Sequence, residues 1–366
     1  MRPHVDQRQA RVLALVRARG SARVVDLAGE LGISPVTLRR DVEAMAARGE
    51  IRRMHGVISR LESVPADAAP GATGPDPATG RGAGALVIGM VVPTTEYYYA
   101  DVVRGAREVV EARGARLTVG LTRYLAGEDR TQADRLLSTG ADGLLLTPNW
   151  EAGAPGPGEG AWTAELPVPT VLVERWAPPG HPAASLDRVA SDHADGAAQA
   201  VRHLAELGHK RIALASRETP TSGRLRTGFA AAVASLGLEP APAWPAAGAA
   251  SLAEAEAFAR TLDYLCAAVA DGGVTAALIH SDTDAIMLIP RLQARGVRVP
   301  EDLAVITYDD EVAELADVPL SAVAPAKHEV GARAAGMLLD RLHDRGAGRD
   351  GPRQHLDLLP RLTVRP

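Results

Sequence analysis

From residue 86 onward, short apolar runs alternate with amphipathic stretches, and no other feature restricts the fold of this chain as much. Residues 86–92 (LVIGMVV) form a continuous apolar run suited to a strand covered on both faces. A helix is expected over 101–112, a strand over 117–121, a helix over 129–138 and strands over 143–147 and 171–173. The series resumes with a helix over 195–207, a strand over 212–215 and helices over 225–236 and 252–270. A strand over 276–279, a helix over 283–294 and a strand over 303–307 follow. Strands separated by helices predict an α/β fold of doubly wound parallel sheets. About 280 residues exceed one usual open α/β unit, and the alternation breaks near its middle, at 176–190. Two similar lobes with a cleft between them fit that pattern.

Ahead of this body, residues 1–60 read as three helices and a hairpin. Val12, Leu13, Leu15 and Val16 recur at helical spacing until Gly20. Leu27, Ala28 and Leu31 share one face of a second short helix. Gly32-Ile33-Ser34-Pro35 is a tight turn in which Ser34 can cap, and Pro35 suits the first position, of a third helix reaching about Ala47. That helix buries Val36, Leu38, Val42 and Met45 and turns Arg39 and Arg40 outward. Ile51, Met54 and Val57 fit a hairpin turning at His55-Gly56. Residues 61–84 change to Pro, Ala, Gly and Asp with almost no large apolar side chains, the composition of a flexible linker. The expected organisation is a head over 1–60, a linker over 61–84 and a body over 85–366.

The charge is divided the same way. Twelve arginines against six carboxylates give residues 1–60 a charge of +6, which leaves −11 for the rest of a chain whose net charge is −5. A basic head on an acidic body points to a polyanionic partner for the head. The single cysteine, Cys266, forbids an internal disulfide or a multi-cysteine metal site. No apolar run reaches the ~18 residues that cross a bilayer, and the basic, polar N-terminus lacks a secretory signal's apolar core. The expectation is a cytoplasmic protein with no membrane partner. A phosphate loop, an H-E-x-x-H helix and a G-x-S-x-G elbow are all missing from the sequence. The ten histidines show no ligand spacing. Neither an enzyme, a cofactor nor a metal is expected.

A helix after a tight turn, with paired arginines on its outer face, is the arrangement that enters the major groove of DNA. Arginine's planar fork suits guanine edges and phosphates. The segments VDLAGELGISPVTLRRD (25–41) and GEIRRMHG (49–56) resemble the winged helix-turn-helix of the DeoR family of bacterial regulators. The resemblance implies that Ser34, Pro35, Thr37, Arg39 and Arg40 face double-stranded operator DNA, with Arg53 and His55 in or beside the wing. The family carries a second glycine after His-Gly where this chain has Val57.

The body resembles instead the effector-binding half of LacI-type repressors, a two-lobed relative of periplasmic sugar-binding proteins. Segments 98–105, 141–143, 203–212, 296–310 and 358–365 carry that resemblance in the family's order. The linker has no counterpart of the LacI-type hinge helix, so coupling between ligand and DNA must work through the placement of two heads in a homodimer. Ligands of open α/β sheets bind beyond the carboxyl ends of the strands. Thr95, Tyr97 and Tyr98 follow the first strand, and Glu174 and Arg175 end the strand over 171–173. Arg224 and Arg226 stand four and two residues before Gly228, where the family has one arginine three before; Arg224 is the preferred contact. Ser281 follows the strand over 276–279, with Asp282 the expected cap of the next helix. Asp309 would accept hydrogen bonds from sugar hydroxyls, and Asp310 is expected to be structural. Carboxylates, arginine and aromatics together suit a sugar or related polyol; the same set could hold a nucleoside. The sequence therefore reads as a ligand-responsive repressor of sugar-uptake or catabolic genes. A solute-binding protein for transport, sharing the body alone, is the alternative.

Overall fold

The computed structural model describes Val12, residues 21–23, 51–54 and 57–60, and then residues 85–125, 127–243 and 254–366. The chain divides into two compact units, Met1–Gly80 and Arg81–Pro366. In the first, β1 (Ser21–Arg23), β2 (Ile51–Met54) and β3 (Val57–Arg60) form an antiparallel sheet in the order β1-β3-β2. Met54 pairs with Val57, which leaves two residues between the hairpin strands. Val57, standing in place of the family's second glycine, begins the return strand and also pairs with Arg23 of β1, a strand the sequence did not suggest. Val12 is helical and fully buried, as its spacing implies. Arg53 lies on β2. The second and third expected helices, the linker, and Ser34, Pro35, Thr37, Arg39, Arg40 and His55 lie outside the described residues.

The second unit has the expected α/β class. Its first sheet is built from β4 (Val87–Val92), β5 (Arg116–Leu121), β6 (Gly143–Leu146), β7 (Thr170–Val173) and β8 (Asp187–Ser191), with β13 (His355–Leu358) at its edge. The order is β13-β8-β7-β6-β4-β5 and every pairing is parallel. The second sheet contains β9 (Ile212–Ser216), β10 (Ala276–His280), β11 (Ala304–Tyr308), β12 (Ser321–Ala324) and β14 (Arg361–Thr363), in the order β14-β12-β11-β10-β9. Only β14 runs antiparallel to its neighbour there. Among the described residues, seven α-helices complete the unit: α1 (Tyr98–Ala112), α2 (Glu128–Ser138), α3 (His193–Glu206), α4 (Ser222–Ser235), α5 (Glu254–Ala270), α6 (Asp282–Ala294) and α7 (Lys327–Gly346).

The apolar runs are central strands because both faces are covered. Ile88, Met90 and Val92 pack under α1 and α7, whereas Val91 and Leu144 face the side of Leu136 on α2. Each such side chain contributes about 1.5–3 kcal/mol on full burial. α1 and α7 approach so closely that a Cβ at Gly105 would lie 1.9 Å from the His328 carbonyl oxygen. That contact leaves room only for glycine. β8 fills the gap the alternation left at 176–190. Its sequence, DRVAS, hides its strand character because two charged residues are buried as pairs. Asp187 is gripped by Arg341 through two bonds of 3.0 and 2.8 Å, and Arg188 binds Asp357 at 2.7 and 2.9 Å.

The chain passes between the two sheets three times, from β8 into α3, from β12 into α7, and from β13 into β14. Two lobes joined by three short crossings enclose a cleft, and the carboxyl ends of β4, β7, β9, β10 and β11 all open onto it.

Candidate functional site

The cleft holds a cavity of about 420 Å³. From the first lobe come Tyr97, Tyr98 and Tyr99 at the start of α1, Tyr124 after β5, and Glu174 and Arg175 after β7. From the second come Arg217, Thr219, Pro220 and Thr221 after β9, His280, Ser281 and Thr283 around the β10–α6 junction, and Asp309 after β11. His193, at the first crossing, closes the floor. This is the location that open α/β sheets reserve for ligands.

The backbone marks the same place. Tyr97, Tyr124, Glu174 and Asp309 have φ of 50°, 58°, 54° and 88°. The other two non-glycine residues with positive φ among those described, Arg123 and Asp310, are chain neighbours of two of these. Each such residue costs on the order of 1–3 kcal/mol and persists only where surrounding contacts over-determine it. Strain gathered around one cavity is a functional signature.

The polar groups form two sets. Deep in the floor, Glu174 Oε1 accepts from the Tyr98 hydroxyl at 2.6 Å and the Ser191 hydroxyl at 2.8 Å, and Oε2 accepts from the Ser191 N–H at 3.1 Å. His193 Nε2 lies 3.4 Å from Oε2, and its Nδ1 meets the Tyr308 hydroxyl at 3.1 Å. Burial alone would raise the Glu174 carboxyl, but His193, Tyr98 and the Ser191 amide outweigh it and hold the group below its ordinary range. Glu174 thus keeps Tyr98 and His193 in place and has little capacity left for a ligand. Nearer the opening, the Tyr97 hydroxyl donates across the cleft to Asp282 Oδ1 and lies 3.4 Å from Asp309 Oδ2. Burial pushes the Asp309 carboxyl up to about 6, against the pull of Lys327 and His193 and with added repulsion from Asp282. His280, 3.7 Å from that carboxylate, is driven down to about 4, first by burial and then by His193. It is neutral at physiological pH, and its Nδ1 meets the Ser216 hydroxyl at 3.2 Å.

Of the body residues singled out from sequence, Tyr97, Tyr98, Glu174, Arg175, Ser281 and Asp309 line the cavity. Thr95 does not: it is exposed in the bend before α1, and the three tyrosines form the wall instead. Arg224 does not either, because its guanidinium lies over the Trp176 ring, 4.6 Å from the centroid. Arg226 is held by Glu218 through bonds of 2.7 and 3.0 Å. The arginine that reaches the cavity from this region is Arg217, whose Nε binds Asp284 at 2.8 Å. Asp282 is not the cap. Ser281 occupies that position, and the fully buried Asp282 clasps the N–H groups of Thr283, Glu311 and Val312 at 2.8, 2.6 and 2.7 Å. Asp310 pairs with Arg365 at 2.8 Å, the structural role expected. Tyr124, His193, Arg217, Thr219, Thr221, His280 and Thr283 were missed. His280 ends β10 and the others follow the carboxyl ends of strands, so their position was the signal that could have found them.

Comparison with known proteins agrees with this geometry. Residues 8–64 match a DeoR-like helix-turn-helix domain, and residues 201–366 match a periplasmic binding protein-like domain. This is a transcription regulator with a DeoR-like helix-turn-helix head and a periplasmic binding protein-like body. The transcriptional repressor PurR of Vibrio cholerae is 28% identical over 288 residues, covering 76% of this chain and 80% of that protein. The repressor CytR of Escherichia coli K12 is 25% identical over 282 residues, 75% of this chain and 78% of that one. A LacI family transcriptional regulator from Mycobacterium smegmatis, of known structure, superposes with a TM-score of 0.59 at 25% identity, over 76% of this chain and 97% of that one. The periplasmic binding protein-like body thus places its strained, polar cavity beyond the carboxyl ends of its parallel strands, where open α/β sheets bind ligands.

Proposed function

We propose that this protein represses genes for the uptake or breakdown of a sugar, and that a small polyhydroxylated effector in the cleft sets its affinity for operator DNA. The single observation that carries the reading is the cavity itself, with tyrosine rings on one wall and hydroxyls and the Asp309 carboxylate on the other. Aromatic faces stack on the C–H face of a sugar ring while carboxylates and hydroxyls take its O–H groups. Tyr97–Asp282 and Arg224–Trp176 already tie the lobes across the cleft. An effector that exchanges the first of these contacts for its own shifts the relation of the lobes, by no more than its differential affinity for the two states, typically ~1–3 kcal/mol.

The tyrosine wall gives a nucleoside base the second place among effectors. The head reads DNA in the cytoplasm, and among the described residues no helix is long and apolar enough to cross a membrane.

Two-fold operators call for two heads. We assign the second copy of the chain to an apolar groove of about 370 Å³ on the second lobe, formed by α3, α6 and the segment before β12. Leu207, Leu315 and Val318 line it and stand 63%, 73% and 57% exposed. Anisotropy titration of the full chain against DNA from its own promoter region, with and without sugars and nucleosides, tests the proposal. Absence of binding to that DNA under every condition refutes it.

A further inference from the structure

Three arginines among the described residues are at least nine-tenths buried: Arg175, Arg188 and Arg341. Two of them follow the rule for buried charge, each holding a carboxylate with two bonds, Arg188 to Asp357 and Arg341 to Asp187. Arg175 does not. Only 2% exposed, it donates from Nε to the Pro148 carbonyl at 2.5 Å, and from Nη1 to the Glu174 carbonyl at 2.7 Å and the Tyr99 hydroxyl at 3.3 Å. All three acceptors are neutral, and Nη2 has no partner.

The two carboxylates in the neighbourhood do not neutralise it. Glu174 directs both side-chain oxygens to Tyr98, Ser191 and His193. Asp129 senses the guanidinium from beyond ion-pair distance; its Oδ2 accepts from the Asn149 N–H at 2.8 Å, its Oδ1 is buried without a partner, and burial pushes its carboxyl up. A guanidinium cannot shed its proton to escape an apolar setting. A buried charge that lacks a counter-ion is strongly disfavoured unless a partner arrives.

That partner has one route of arrival, because Arg175 lines the cleft cavity. The helix starts reinforce the polarity: α1, α3, α4 and α6 all begin at the cavity wall or within one residue of it, and each presents the positive end of its dipole there. The opposite wall, with Thr219, Thr221, Ser281, Thr283 and Asp309, offers hydroxyls and a carboxylate to O–H groups. Resting on the reading of this cavity as the effector site, we infer that the effector is an anionic polyol whose acid group pairs with Arg175 and whose hydroxyls meet the second lobe. The weakest of the present bonds, to the Tyr99 hydroxyl, is the one the incoming oxygen replaces. A sugar acid and a sugar phosphate both supply this chemistry.

The test uses the full-length protein at constant ionic strength. Thermal-shift measurements compare gluconate and glucuronate, then glucose 6-phosphate and ribose 5-phosphate, then glucose, ribose, sorbitol and cytidine. At least one member of the first two groups raises Tm, and which group responds separates carboxylate from phosphate. Calorimetry with that compound then shows Arg175→Met raising Kd roughly a hundredfold or more, the loss expected when one partner of a buried charge pair is removed. Arg175→Lys, which keeps the charge without the fork, recovers part of it. Circular dichroism and DNA affinity confirm that the variants are folded, and the lysine variant carries the test if the methionine one is not. If neutral sugars or cytidine bind and the acids do not, or if both variants bind the responding acid as the parent does, the anionic effector is overturned while the sensor role stands. If none of the compounds raises Tm at 10 mM, the polyol-effector reading falls with it.

Discussion

Asp309 offers a direct measurement of what the cleft costs the fold when nothing is bound. Its carboxyl sits at about 6 in the folded chain against an ordinary 3.8. The folded state therefore holds this proton more tightly than the unfolded one does. Below about pH 3.8 the group contributes nothing; as pH rises from there to about 6 the unfolded chain releases the proton first, and stability falls. Two units at 1.36 kcal/mol each make the full penalty about 3 kcal/mol at neutral pH. Asp309→Asn removes the titration while keeping the size of the side chain and one acceptor for Tyr97. Urea unfolding followed by tryptophan fluorescence reads the body alone, since Trp150, Trp162, Trp176 and Trp244 all lie beyond the linker. The variant gains on the parent by roughly 2–3 kcal/mol between pH 4 and pH 7.5, and it binds effector more weakly at neutral pH. Parallel stabilities of the two proteins across that range would show that burial of Asp309 is not what strains the site.

Three further outcomes are expected. Arg39→Ala with Arg40→Ala abolishes operator binding while effector affinity is unchanged; a gel-shift titration at fixed salt decides it, and unchanged binding would refute the recognition-helix assignment. Tyr97→Phe removes a hydroxyl that bridges the lobes and, because the site is partly open to water, costs about 1–2 kcal/mol without effector; an unchanged urea midpoint would mean that the bridge carries no weight. Leu315→Asp places a charge in the exposed apolar groove and converts dimer to monomer in light scattering, with folding intact; an unaltered mass moves the dimer surface elsewhere.

Much of the body could be read from sequence because its strands are covered on both faces, and a run such as 86–92 has no other comfortable home. β8 escaped because its charges are paired inside the molecule with Arg341 and Asp357, residues more than 150 positions away, which a local pattern cannot show. Asp282 looked like a cap for the same reason: its true partners, the amides of Glu311 and Val312, are distant in sequence. The cleft was found by topology, but which arginine enters it was not, since neither Arg224 nor Arg226 has the family's spacing before Gly228, and only their partners, the Trp176 ring and Glu218, explain why both side chains turn away. Arg175 was legible as a strand-end residue. Its lack of a counter-ion required the folded chain.

The threefold passage between sheets also governs how the molecule is made. The first lobe begins at β4, yet the helix that covers its inner face and the strand that completes its edge come from residues 327–358. A nascent chain must therefore carry Val92, Val102 and their neighbours unshielded while more than 200 further residues are synthesised. Such long-range closure slows folding and exposes apolar surface to aggregation. The first lobe therefore closes only once residues 327–358 have emerged, late in synthesis.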